Sequence, residues 1–124
     1  MGKLKRSEGD EQKALFEWAE WNYTIYPELK LMYHIPNGGY RNKAEAVKLK
    51  RQGVKKGVPD ICLPVPRGKF HGLYIELKTD DGRASKEQID YIKALNKIGY
   101  AAEIARGFEQ AVEVITRYLE IKGA

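Results

Sequence analysis

Asp60, Glu76 and Lys78 are the residues whose types and spacing could do chemistry. They interrupt the run from Gly57 to Lys78, GVPDICLPVPRGKFHGLYIELK, which otherwise reads as two apolar strands over 61–65 and 72–78 joined by a loop. Side chains alternate along a strand, so Tyr74, Glu76 and Lys78 share one face while Leu73, Ile75 and Leu77 share the other. A hairpin loop over 66–70 sets Val65 opposite His71, Leu63 opposite Leu73, Ile61 opposite Ile75 and Asp60 opposite Glu76. Opposed residues of a hairpin have Cβ atoms about 4.5–5.5 Å apart, and like charges there destabilise the pair. Two half-buried carboxylates cannot both ionise cheaply unless a cation compensates them. Lys78 offsets one charge; a hard divalent ion such as Mg²⁺ or Mn²⁺, which prefers oxygen ligands, would offset both. A register displaced by a few residues would leave an ordinary edge salt-bridge cluster instead.

The elements that must position these groups follow from periodicity and punctuation. Ala14, Leu15, Trp18 and Ala19 mark an amphipathic first helix over 10–22, with Glu11 on the same stripe and Glu8 one turn earlier on a similar face. A short strand is expected over 31–35, ended by the turn Pro36-Asn37-Gly38-Gly39. A basic helix over 42–52 is closed by Gly53. Ser85-Lys86-Glu87-Gln88 is a capping box opening a helix that runs to Gly99. A strand over 100–105 follows, then a break at Gly107, then a final helix lined by Ala111, Val114, Ile115, Tyr118 and Leu119. The order predicts an α/β fold, a mixed sheet flanked by helices. The strands ending at Lys78 and beginning at Tyr100, joined by a helix, should be parallel.

At 124 residues the chain is expected to form one domain over 1–124. Its 43% hydrophobic and 31% charged content is that of a folding chain and too apolar for a disordered tail. No stretch approaches the about 18 apolar residues of a membrane span, and the polar N-terminus offers no signal-peptide segment, so a cytoplasmic protein without membrane partners is expected. Cys62 is the only cysteine, which excludes an internal disulfide and a cysteine-based zinc site. His34 and His71 are too isolated for a histidine-based metal site and receive no role. The net charge of +5 is concentrated: Arg41, Lys43, Lys48, Lys50, Arg51, Lys55 and Lys56 stand against Glu45 alone. Such a segment on a near-neutral body is the footprint of a phosphate-backbone binder, the bland alternative being a solvated lysine-rich helix.

Pro59-Asp60, a variable hairpin, then Glu76-Leu77-Lys78 resembles the PD-(D/E)XK nuclease motif. The longer context EQKALFEWAE, IPNGG, QGVKKGVPDICLPV, GLYIELK, SKEQIDYI and GYAAEIARG is similar, in order and spacing, to the VRR-NUC (virus-type replication-repair nuclease) branch, standalone viral type, over nearly the whole chain. The resemblance implies a restriction-endonuclease-like fold and metal-dependent phosphodiester hydrolysis with Mg²⁺ or Mn²⁺. Asp60 and Glu76 would bind the metal, the Leu77 carbonyl would complete its shell, and Lys78 would steer the attacking water. Glu11 matches the first-helix acid that often serves a second metal, with Glu8 as fallback. Gln88 matches a helix glutamine aimed at the site, although the capping box also claims it.

It further implies a homodimer that resolves four-way junctions in branched double-stranded DNA, since two symmetric cuts need two sites related by a two-fold axis. Such a protein would work without a nucleotide cofactor and, if viral, in the host cytoplasm. Asn37, Gly38 and Gly39 could approach a phosphate backbone closely, and Arg41, Lys43, Lys48, Lys50, Arg51, Lys55 and Lys56 could grip it. Trp18, Trp21 and Tyr23 read as core or dimer contacts. Two other classes stay open: a flap or sequence-specific duplex endonuclease with the same chemistry, and a non-catalytic DNA-binding module whose acids balance its basic helix.

Overall fold

The computed structural model describes residues 6–36 and 42–123. Asn37, Gly38, Gly39 and Arg41, expected to approach DNA, lie outside the described residues. The element order is α1 (Glu8–Trp21), a 3-10 turn (Pro27–Leu31), β1 (Tyr33–His34), α2 (Lys43–Arg51), β2 (Ile61–Leu63), β3 (Leu73–Lys78), α3 (Lys86–Lys97), β4 (Ala101–Arg106) and α4 (Gly107–Leu119). The sheet runs β1-β2-β3-β4, antiparallel for the first two pairings and parallel for the last.

The alternation in LYIELK decides which side of the sheet becomes core. Leu73, Ile75 and Leu77, each 1% exposed, join Leu15 and Ala19 of α1 and Ala111, Val114, Ile115 and Leu119 of α4 in one cluster. Each Leu, Ile or Val among them, removed from water, contributes about 1.5–3 kcal/mol. The stripe at 111, 114, 115, 118 and 119 is the i, i+3, i+4 pattern of a helix lying on a sheet. Tyr118 adds a buried hydrogen bond from its hydroxyl to the Val65 carbonyl, 2.6 Å. Tyr74, Glu76 and Lys78 therefore occupy the opposite face, where α3 approaches. Cys62, 4% exposed, lies on β2 between Tyr33 and Tyr74 in the register.

The hairpin register is Ile61 to Ile75 and Leu63 to Leu73, as expected, but the ladder stops there. Pro64 has no N–H to extend it; Val65 N–H turns back to the Leu63 carbonyl, and His71 N–H donates to Gly99, so Val65 and His71 do not pair. The strand expected over 31–35 shrinks to two residues. Pro27 opens a 3-10 turn that buries Leu29 and carries the chain through Leu31. Helix α1 starts two residues early because Ser7 and Asp10 form a capping box. Gly107 is the first residue of α4 rather than a break, at φ 88°. Trp18 and Tyr23 pack against the core, whereas Trp21 is 85% exposed.

Candidate active site

Glu76 is 1% exposed in the middle of β3. Its carboxyl is pushed up to about 8, first by burial, then by the charge of Asp60 and a hydrogen bond with it; Lys78 opposes the shift and Glu8 adds to it. Oε2 accepts a hydrogen bond from Gln88 Nε2 at 2.9 Å and lies 3.6 Å from Lys78 Nζ. Oε1 is buried with no hydrogen-bond partner. The Asp60 carboxyl can become one only when one of the two acids holds a proton.

Asp60 sits where β2 begins, partly exposed, directly after the buried Pro59. Its side chain bridges to β3: Oδ2 accepts from Leu77 N–H at 2.9 Å, a contact of the Leu77 amide and not of the carbonyl expected to serve a metal. Its carbonyl is held from the other side by Ile35 N–H at 2.6 Å and by His34 Nδ1–H at 2.9 Å. Asp60 thus lies just before β2, outside its ladder, so the expected strand pair with Glu76 does not form; main-chain groups hold Asp60, whereas Gln88 and Lys78 contact the Glu76 carboxyl.

Gln88 fills both roles that its position offers. Its Oε1 accepts from Ser85 N–H at 2.8 Å while Ser85 Oγ accepts from Gln88 N–H at 3.1 Å, which closes the capping box of α3. The remaining amide NH₂ points to Glu76. A helix cap and the orientation of a buried carboxylate share one side chain.

Lys78 is buried beside this pair, with its Nζ 3.9 Å from Glu8 as well as 3.6 Å from Glu76. The acid that α1 brings to Lys78 is therefore Glu8, the fallback. Glu11 turns elsewhere: Oε2 accepts from Arg6 at 3.3 Å, and Oε1 faces Phe108 N–H at 3.5 Å at the start of α4. Gly107 makes that approach possible, since a Cβ there would lie 3.0 Å from Glu11 Oε1. A carboxylate at a helix N-terminus meets free N–H groups and the positive end of the dipole, which accounts for Glu11 structurally.

Sequence reasoning missed two positioning residues. His34 steadies the Asp60 carbonyl, and no local signal marks it. Arg106, paired with Lys78 in the parallel register, donates through Nη1 to the carbonyls of Thr79 at 2.9 Å and of Gly82, pinning the turn that follows Lys78. The basic residues Lys43, Lys48, Lys50 and Arg51 lie exposed on α2, with Lys55 and Lys56 exposed after it, and the described contacts bring none of them to the carboxylates.

The donor set fits a hard divalent cation. Asp60 and Glu76 offer carboxylate oxygens, and an unpartnered buried Glu76 Oε1 is the kind of atom that a cation would satisfy. Among the described residues no group of three or more His, Cys, Asp and Glu side chains comes together. Two carboxylates are the protein ligands that an ion such as Mg²⁺ commonly takes, with water and phosphate supplying the rest.

The VRR-NUC domain family model matches residues 6–109. A solved structure of a protein named "VRR_NUC domain protein" superposes with a TM-score of 0.82 at 30% identity, covering 96% of this chain and 93% of that one. No curated protein matches the chain.

Proposed function

The chain belongs to the VRR-NUC domain family and is a nuclease-type DNA-processing domain; from that premise we propose that it is a divalent-metal-dependent endonuclease cutting branched double-stranded DNA, foremost four-way junctions. The observation that carries the metal dependence is the buried Glu76, with one oxygen unpartnered, set against Asp60 just before the adjoining strand. Asp60 and Glu76 would hold Mg²⁺ or Mn²⁺. Such an ion supplies charge neutralisation at the phosphate and a lowered pKa for water when bound.

The chain's own residues divide the remaining work. Gln88 fixes the rotamer of Glu76 through Oε2, which leaves Oε1 free for a ligand. The Lys78 ammonium, between Glu76 and Glu8, is placed to orient water or a phosphate oxygen. Hydrolysis adds water across the P–O bond: one proton passes from the attacking water and one reaches the leaving oxygen.

Junction preference and a C2 homodimer go together, since two symmetric cuts require two sites. Trp21 at the end of α1 and Ile25 just beyond it, 85% and 66% exposed, offer apolar surface to a second copy. The test incubates the protein with labelled four-way junction, flap, duplex and single-stranded DNA in Mg²⁺, Mn²⁺ or EDTA, beside Asp60→Ala, with light scattering for mass. Junction cutting by a dimer that stops in EDTA and in the variant is expected. A monomer that cuts flaps alone would replace resolvase with flap nuclease, and binding without cleavage in any metal would leave a DNA-binding module.

A further inference from the structure

Helix α2 differs from α1, α3 and α4 in burying no residue. It is nevertheless a well-built helix. Asn42 Oδ1 accepts from Glu45 N–H at 2.8 Å, and at the other end Gly53, at φ 100°, lets Val54 N–H reach the Leu49 carbonyl at 3.0 Å. Described residues before and after α2 touch the body at the site's rim. Before it, Ile35 N–H bonds the Asp60 carbonyl. After it, Gly57 runs so close to α3 that a Cβ there would lie 2.6 Å from the Glu87 carbonyl, one residue from Gln88.

The exposed side of α2 has an ordered composition. At 100° per residue Lys43, Ala44, Val47, Lys48 and Arg51 fall within one sector of about 140°. All five are exposed, Val47 by 53%, while Ala46 and Leu49 on the opposite side are half-buried. Glu45, the helix's acid, falls outside the sector. Lys43 and Lys48 therefore stand at the two edges of the sector, with Val47, Arg51 and Ala44 between them and no anion among the five.

We propose that α2 lies in the major groove of a duplex arm beside the scissile phosphate, with Ala44 and Val47 toward base edges, Lys43 and Lys48 on the flanking phosphates and Arg51, the last residue of the helix, on a phosphate past its end. A groove about 12 Å wide admits one α-helix, and small residues on its leading side let the backbone come close. Nine residues span about 13 Å, or about four base-pair steps. Charge complementarity selects the occupant: a second copy of this face would set three cations against three, whereas DNA presents phosphates on both groove walls. This assignment rests on the reading of the chain as a nuclease acting on duplex-containing DNA.

The experiment measures binding, in EDTA, of a labelled junction and a linear duplex across a salt series, with dimethyl sulfate probing of guanine N7, an atom of the major groove. Wild type, the triple variant Lys43→Glu/Lys48→Glu/Arg51→Glu, and Val47→Asp are compared. The wild type should protect N7. The triple variant should lose about 100-fold in affinity and about three from the slope of log K against log salt. Val47→Asp should keep the wild-type circular dichroism and mass but lose about tenfold in affinity together with N7 protection. An unchanged slope and affinity in the triple variant would overturn the proposal, as would wild-type binding without N7 protection. A Val47→Asp protein that changes oligomeric state while binding DNA normally would give the face to a second copy. Failure of the wild type to bind any DNA would overturn the nuclease reading itself.

Discussion

Strand β3 and helix α2 both concentrate charge, and they hold it in opposite ways. β3 encloses Glu76 and Lys78 within the body, whereas α2 keeps Lys43, Lys48, Lys50 and Arg51 in solvent and buries nothing. Water screens the cations of α2, so their number costs the fold little. Glu76 has lost that screening, and burial, first among the causes and followed by the charge of Asp60, pushes its pKa up. A buried charge must be held by directed contacts, which gives a fixed geometry suited to chemistry. An exposed cluster has no such constraint and suits a ligand that is itself highly charged.

The largest test of this contrast is truncation of the pair. Asp60→Ala or Glu76→Ala should lower cleavage on the order of 10³-fold or more while leaving DNA affinity in EDTA within about twofold, measured by single-turnover assay and by anisotropy. An equal loss of binding would erase the division between the two regions. Next, Gln88→Glu preserves a side chain able to close the capping box but replaces the amide donor to Glu76 with a third acid. Cleavage should fall about tenfold or more with helix content retained, whereas Gln88→Ala should also lose about 1 kcal/mol in denaturant unfolding.

The pH dependence separates the regions further. Glu76 binds its proton more tightly folded than unfolded, so in EDTA its contribution to stability is fully present below its ordinary value of 4.5 and is lost as pH rises through about 8. Urea midpoints should fall across that window for the wild type and fall less for Glu76→Gln, and an equal slope in both would remove Glu76 as the cause. The smallest effect is expected at α2: Lys50→Ala should change unfolding free energy by no more than about 0.5 kcal/mol. A larger loss would mean that α2 supports the fold.

The sheet register was legible because alternation and hairpin closure left few ways to pair the strands, and Ile61 and Leu63 meet the expected partners. The α4 stripe and the Ser85–Gln88 box were legible for the same reason, since both are local patterns with a fixed period or spacing. What stayed hidden depends on distant partners. Glu8 and Glu11 lie one helical turn apart, and only the placement of Lys78 and of the start of α4 sends them to different neighbours. Pro27 signalled a break, but the 3-10 turn it opens is completed by burial of Leu29, which no local pattern announces. Trp21 kept the helical stripe at the helix's last turn, where nothing in the described structure covers it.

The burial of Cys62 gives the protein a built-in clock. As the chain's one thiol, in the strand that follows directly from Asp60 and 4% exposed between Tyr33 and Tyr74 in the register, it meets a reagent in solution when the side chains that cover it move aside. The labelling rate then counts movements two residues from Asp60, and a cation that steadies Asp60 would make the clock run slow.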